Sequence, residues 1–154
     1  MQETDRPSWD ETFYQIALGM SRRATCPRLA CGAVIVSHDH QMLTAGYNGA
    51  PRGERHCTEV GCLMEGGHCV RAIHAETNAV LQAARTGVSV AGGVMYLTQR
   101  PCVRCAGLLI QSGVTELVYG TDYDSDGLTS VVLARLDDAG IVVRRINEEK
   151  AGRR

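Results

Sequence analysis

The chain is poor in lysine: Lys150 is its only one, so nearly all of its positive charge is arginine, the better bidentate phosphate ligand. It also lacks a charge excess of either sign, with 16 basic residues against 17 acidic ones and a net charge of −1. That balance argues against a strong electrostatic footprint for DNA, RNA or an anionic membrane. No apolar run approaches the length of a membrane span, and residues 1–6 show no basic-then-apolar pattern, so neither an anchor nor a signal peptide is expected. Repeats and low-complexity tracts are absent too. A chain of 154 residues, 44% of them hydrophobic, is long enough to bury a real core, and one domain is expected, with its core over about residues 9–145.

What the chain has in plenty is cysteine, seven in all, an odd number interleaved with histidines. Without a signal peptide that pattern favours metal binding over disulfides, in a reducing, cytoplasmic compartment.

The hydrophobic patterning gives the order of elements. Ser8-Trp9-Asp10-Glu11 reads as a capping box, and Phe13, Ile16, Ala17 and Met20 follow at helical spacing as a buried face. Strands over 33–36 and 42–47, joined by the polar turn 38–41, suit an antiparallel hairpin. From 48 to about 72 periodicity fails, and a loop of that length is expected to be functional or pinned. Beyond it come a helix over 75–85, a strand over 94–97, a helix from Pro101-Cys102 to about Ser112, a strand over 117–119, a helix over 130–139 and a strand over 141–143. The helix between the last two strands implies a parallel crossover, and the whole describes an α/β fold: a mixed five-stranded sheet covered by helices on both faces.

The strongest signal is His74-Ala75-Glu76 followed by Pro101-Cys102-Val103-Arg104-Cys105. It matches the H-x-E…P-C-x-x-C signature of zinc deaminases. Cysteines at i and i+3 on the first turn of a helix point the same way, so both thiolates reach one ion, and His74 opens a second helix. Helix N-termini favour the thiolates. Three protein ligands leave a fourth zinc position open, as catalytic sites do, and a water there has its pKa lowered from 15.7 to about 7. Glu76, beside the metal but not on it, is placed to shuttle protons. A CxxC pair alone is more often structural, and an isolated HxE usually means nothing; the two together, each at a helix start, make a catalytic centre the better reading.

The chain resembles the deoxycytidylate deaminase family over about residues 9–143, in residues 21–26, 32–36, Gly46-Tyr47-Asn48-Gly49 and on to Gly53, 74–79, 98–102 and 111–114, with Tyr119 and Tyr123. The resemblance implies a three-layer α-β-α cytidine-deaminase-like fold, a homo-hexamer, and hydrolysis of dCMP to dUMP and ammonia. It implies substrate contacts from Asn48, Ala75 and Tyr123, with Thr25 and Arg28 near the sugar or phosphate. Against these stand a plain Asn-Gly turn at 48–49, an aromatic wall at Tyr123 and a surface role for Arg28. It also implies activation by dCTP and inhibition by dTTP, with Mg²⁺ accompanying the nucleotide effector and the 46–53 loop involved.

Cys31, beside the first strand, reads as a small buried apolar residue. Cys26, Cys57, Cys62 and Cys69 bracket the irregular loop, with His56 and His68 nearby. The family resemblance implies a second, structural zinc with Cys26 and Cys57 as ligands, and leaves Cys62, His68 and Cys69 as alternatives for the rest. A tRNA adenosine deaminase shares the two motifs but needs a basic surface that this chain lacks. Riboflavin-pathway deaminases space the two cysteines more widely. A retired, zinc-stabilised interaction protein, such as the late-competence operon proteins that the chain also resembles, has no use for Glu76.

Overall fold

The computed structural model describes residues 6–122 and 127–147. Its first helix, α1 (Trp9–Ser21), starts where the capping box placed it: Ser8 Oγ accepts from the Glu11 N–H at 3.1 Å, and Glu11 accepts from the Ser8 N–H at 2.6 Å. Phe13 and Ala17 are buried, as is Tyr14, while Ile16 and Met20 pack half-buried on the same cluster.

Strands β1 (Gly32–Val36) and β2 (Met42–Tyr47) form the antiparallel hairpin, with a register irregularity between Ile35 and Val36. After the loop come helix α3 (Ala75–Thr86), strand β5 (Val94–Gln99), helix α4 (Val103–Ser112), strand β6 (Glu116–Thr121), helix α5 (Thr129–Asp138) and strand β7 (Val142–Arg145). The sheet order is β2-β1-β5-β6-β7. β1 runs antiparallel to both β2 and β5, and β5, β6 and β7 are mutually parallel, which gives the mixed sheet and the crossover expected.

Every residue of β1 is buried, because the sheet is covered on both faces. Alternate residues divide between two cores, as the period of a strand requires. Ala33, Ile35, Met95, Leu97, Leu117 and Tyr119 face α3, α4 and α5. Val34, Val36, Val94, Tyr96 and Val118 face α1. The architecture is thus three-layered, with α1 alone on one side.

Two glycines set the layer spacing at the hairpin. A Cβ on Gly32 would lie 1.9 Å from the Ala17 carbonyl of α1, and one on Gly46 would lie 2.5 Å from the backbone of Ala75 and of Ala79 in α3. Thr44 adds a hydrogen bond of 2.9 Å to the Ala79 carbonyl, so the start of α3 is seated directly on β2.

The segment 48–72 is less irregular than expected. It holds a one-turn helix, α2 (Cys57–Val60), and a small hairpin of β3 (Met64–Glu65) and β4 (His68–Cys69). Elements of four and two residues are too short to leave a period in the sequence. An isolated bridge between Gly49 and Ile73 closes the segment at its base.

Candidate active site

Two of the candidate metal-binding residues are helix caps; His74 lies just ahead of its helix, as expected, and Cys102, expected on the first turn of its helix, lies one residue before it. His74 is the N-cap of α3 and Cys102 the N-cap of α4, both in extended backbone. Pro101, one residue ahead of the Cys102 cap, disfavours helical backbone at Arg100 and so keeps α4 from starting earlier. Cys102 Sγ accepts from the Cys105 N–H at 3.5 Å, in the place of an ordinary oxygen cap.

The result is convergence across a gap of 31 residues in sequence. His74 Nδ1 lies 3.6 Å from Cys102 Sγ and 3.4 Å from Cys105 Sγ. A tetrahedral zinc, with bonds of about 2.3 Å to sulfur and about 2.05 Å to nitrogen, separates such a pair by about 3.6 Å. The donor set therefore fits zinc without rearrangement. Hydrogen bonding from the Cys105 thiol, and then from His74, holds Cys102 down to about 3, while the same Cys102–Cys105 contact and burial push Cys105 up. His74 is raised, first by its bond to Cys102.

Glu76 sits in the first turn of α3 with 4% of its surface exposed. Burial pushes its carboxyl above the usual range, with the nearby His74 opposing that shift. A carboxyl whose burial favours the protonated form is suited to taking up and returning a proton. It lines a cavity of about 380 Å³, together with His74, Ala75 and Cys102.

Asn48 lies on the same wall and is buried. Its Oδ1 accepts from the Cys31 N–H at 2.7 Å and its Nδ2 donates to the Leu29 carbonyl at 2.7 Å, so it is more than a turn residue. Cys31, half-buried rather than buried as expected, lines the cavity and is pushed up to about 12 by burial and then by Glu76. Arg28 also lines the cavity.

Thr25, expected near the sugar or phosphate, is not among the residues that line the cavity. Its hydroxyl accepts from the Ala50 N–H at 3.3 Å and its N–H donates to the Asn48 carbonyl, so it braces the Asn48 loop from behind. Tyr123 lies outside the described residues. Sequence reasoning passed over Arg100, which is 5% exposed, lines the cavity and donates to the Pro101 carbonyl at 2.7 Å. A charged residue immediately before the metal-binding Pro-Cys pair was the signal available.

A second cluster joins Cys26, Cys57, Cys62 and Cys69, with all four sulfurs within 4.8 Å of one another. Cys26 and Cys62 are 3.7 Å apart, Cys57 and Cys69 3.6 Å. A tetrahedral zinc spaces two thiolates by about 3.8 Å. His68 and His56 are not in this group: His68 pairs with Glu65 across the small hairpin and His56 caps α2, so the choice left open among Cys62, His68 and Cys69 falls on the two cysteines. Burial works against a thiolate at Cys69, but the N–H groups of Ala72 and Arg71 bring it down to about 6; burial, and then Cys69, push Cys57 up to about 12.

Residues 7–121 match the model of the cytidine and deoxycytidylate deaminase zinc-binding region. ComE operon protein 2 of Bacillus subtilis is 39% identical over 142 residues, covering 92% of this chain and 73% of that protein. The deoxycytidylate deaminase of Mycobacterium phage D29 is 36% identical over 126 residues, covering 74% of this chain and 95% of that one. The deoxycytidylate deaminase of Schizosaccharomyces pombe is 34% identical, and the chain spans only 44% of its length. Among solved structures, the dCMP deaminase of cyanophage S-TIM5 in complex with dCMP and dUMP superposes with a TM-score of 0.78 at 27% identity, covering 92% of this chain and 98% of that one.

Proposed function

The chain belongs to the cytidine and deoxycytidylate deaminase family, and from that premise we propose that it hydrolyses dCMP to dUMP and ammonia. The observation that carries the reading is the placing of a buried Glu76 beside the His74–Cys102–Cys105 triad, with Glu76, His74 and Cys102 lining one cavity of nucleotide size. The cyanophage enzyme, aligned over nearly its whole length, holds dCMP and dUMP.

His74, Cys102 and Cys105 would hold a zinc ion, which supplies a Lewis acid able to bring the pKa of a water to about 7. Glu76 would take one proton from the attacking water as its oxygen adds to C4 of the cytosine and pass it to ring N3. It would then move the second proton from the new C4 hydroxyl to the exocyclic nitrogen, so that the C4–N bond breaks as the C4 carbonyl forms and ammonia leaves. Asn48 fixes the backbone of 29–31 along the wall the nucleotide occupies, and Arg28 supplies positive charge there. Ala75, fully buried, leaves room beside Glu76.

The four-cysteine cluster would hold a second, structural zinc, supported by sulfur spacings that suit a closed site. Two zinc ions per chain by elemental analysis is the expected stoichiometry. The remaining parts of the reading are a single deaminase domain, a cytoplasmic location, a homo-hexamer, activation by dCTP with Mg²⁺, and inhibition by dTTP. Regulation is supported by the 46–53 loop adjoining Asn48, and is lost if activity is indifferent to both triphosphates at saturating Mg²⁺. Among the described residues no helix is long and apolar enough to cross a membrane.

Ammonia release from dCMP, CMP, dCTP, deoxycytidine and a tRNA anticodon stem-loop, with and without a zinc chelator, tests the function. Preferred turnover of dCMP supports it. Turnover of the stem-loop alone assigns the chain to tRNA, and silence on every substrate with zinc bound and dCTP and Mg²⁺ supplied makes it a retired member.

A further inference from the structure

Residues 100–102 carry the chain from β5 to α4. On the sheet side, Gln99 pairs with Thr121, and the Arg100 N–H donates to the Thr121 carbonyl at 2.9 Å. On the helix side, the ladder begins with the Ala106 N–H on the Cys102 carbonyl, also at 2.9 Å. The carbonyl of Pro101 falls between the two, past the sheet and ahead of the helix.

Arg100 serves that carbonyl. Its Nη1 donates to the Pro101 oxygen at 2.7 Å, in a bond that is itself buried. Arginine is almost never fully buried unless its donors are engaged, and Arg100 is 5% exposed. A peptide unit is planar, so holding the Pro101 oxygen also holds the nitrogen and Cα of Cys102. Pro101 is fully buried and its ring fixes its φ, which removes a further freedom. From that anchored start, φ and χ1 of Cys102 alone bring its Sγ to 3.6 Å from His74 Nδ1.

A second arginine supplies the contrast. Arg135 of α5 donates from Nη1 to the Val103 carbonyl at 2.7 Å, but its side chain is exposed. Val103 also lies within α4, where the helical ladder serves its carbonyl as well. Building on the zinc reading of the triad, we propose that Arg100 is a positioning residue, which holds the Pro101 carbonyl so that the Cys102 sulfur is preset for the metal, and which does not bind substrate.

The test uses the zinc-loaded full chain and the variants Arg100→Met, Arg100→Leu, Arg100→Lys and Arg135→Ala. Met and Leu keep an apolar stem and remove every donor, whereas Lys keeps an ammonium able to reach the carbonyl. Each protein is dialysed against graded chelator and its remaining zinc is counted by elemental analysis, the triad's ion being the one that Cys105→Ser lacks. Kinetics on dCMP and calorimetric binding of dUMP accompany the count. Arg100→Met and Arg100→Leu are expected to release that ion at about 10–100-fold lower chelator, with kcat reduced by a similar factor. KM for dCMP and the dUMP affinity of the loaded variants stay within about threefold of the wild type. Arg100→Lys recovers most of the retention, and Arg135→Ala keeps its ion as the wild type does.

Wild-type zinc retention in the apolar variants overturns the proposal, and so does an equal loss from Arg135→Ala. A retained ion with weakened dUMP overturns it by making Arg100 a substrate contact. Loss of both ions together, or failure of both apolar variants to fold, makes Arg100 a residue of the fold at large and overturns it too. A wild type that releases no ammonia from any cytosine compound fails the deaminase reading, while zinc retention still decides the role of Arg100.

Discussion

The side chain of Asn48 reaches across 17 residues of sequence to accept the backbone N–H of Cys31 at 2.7 Å, while donating from its other end to Leu29 at the same distance. Both ends of the amide are used, which fixes its orientation and pins the entry to β1 against the cavity. Asn48→Ala strips partners from two backbone groups, a cost of about 1–3 kcal/mol. We expect a lower Tm together with a loss in kcat/KM on dCMP of about tenfold or more. Unchanged thermal unfolding alongside lost activity would mean that Asn48 acts only on substrate.

Glu76→Gln keeps the shape of the side chain and removes its proton chemistry. Turnover of dCMP should fall by about 10²- to 10⁴-fold, the range associated with a positioned acid–base group. Because burial already resists ionisation at this position, Tm should match or exceed that of the wild type. A variant retaining more than a tenth of wild-type kcat would remove Glu76 from the mechanism.

Gly46→Ala drives a methyl group into the backbone of α3, at 2.5 Å from both Ala75 and Ala79. Overpacking of this kind costs about 1–3 kcal/mol or more. Since the displaced turn carries His74 and Glu76, catalysis should fall with stability. Denaturant unfolding and activity measured on one sample would show both losses; wild-type values for either would contradict the close approach.

Cys57 is 3% exposed at the heart of the second cluster. Cys57→Ser should bind one zinc ion per chain instead of two, with a fall in Tm, whereas Cys105→Ser should lose the other ion and all activity. Elemental analysis distinguishes the pair. Two ions retained in Cys57→Ser would show that the cluster is not a metal site.

Far from the cavity, Arg144 bridges α1 and β6, bonding Asp10 Oδ2 and Glu116 Oε1, while the Tyr96 hydroxyl donates to Asp10 at 2.8 Å. The Arg144 bond, opposed by partial burial, holds the Asp10 carboxyl below its ordinary value of 3.8. A lowered carboxyl stabilises the fold above that ordinary value and loses the contribution as pH falls through the folded value. Asp10→Asn should therefore lower Tm modestly at pH 7, the pair being partly solvated, with the difference closing below about pH 3.8. A gap that persists in acid would point to packing instead.

The long elements could be read from the residues because their burial is periodic. Ser8 and Glu11 announced α1, and the order of helices and strands announced a mixed sheet covered on both faces, in which β1 is buried throughout and β5 in all but its last residue. The motif residues His74, Cys102 and Cys105 were legible from their spacing at two helix starts, whereas the single residue by which Cys102 falls outside α4, as its cap, was not, since helix ends are set by local backbone conformation. Within 48–72 the pattern failed because cysteine side chains, not a buried face, hold α2 and the small hairpin together. Choosing Cys62 and Cys69 over His68 took three-dimensional proximity, as did turning Thr25 away from the cavity toward Ala50.

All four cysteines of the second cluster precede His74, whereas the triad is incomplete until Cys105. A chain made from its N-terminus exposes the first set whole before any residue of the second is made. Under the proposed two-zinc reading, zinc arriving during synthesis would meet the four-sulfur site before Cys102 and Cys105 emerge, so that the order of the ligands along the chain would schedule the loading of the two centres.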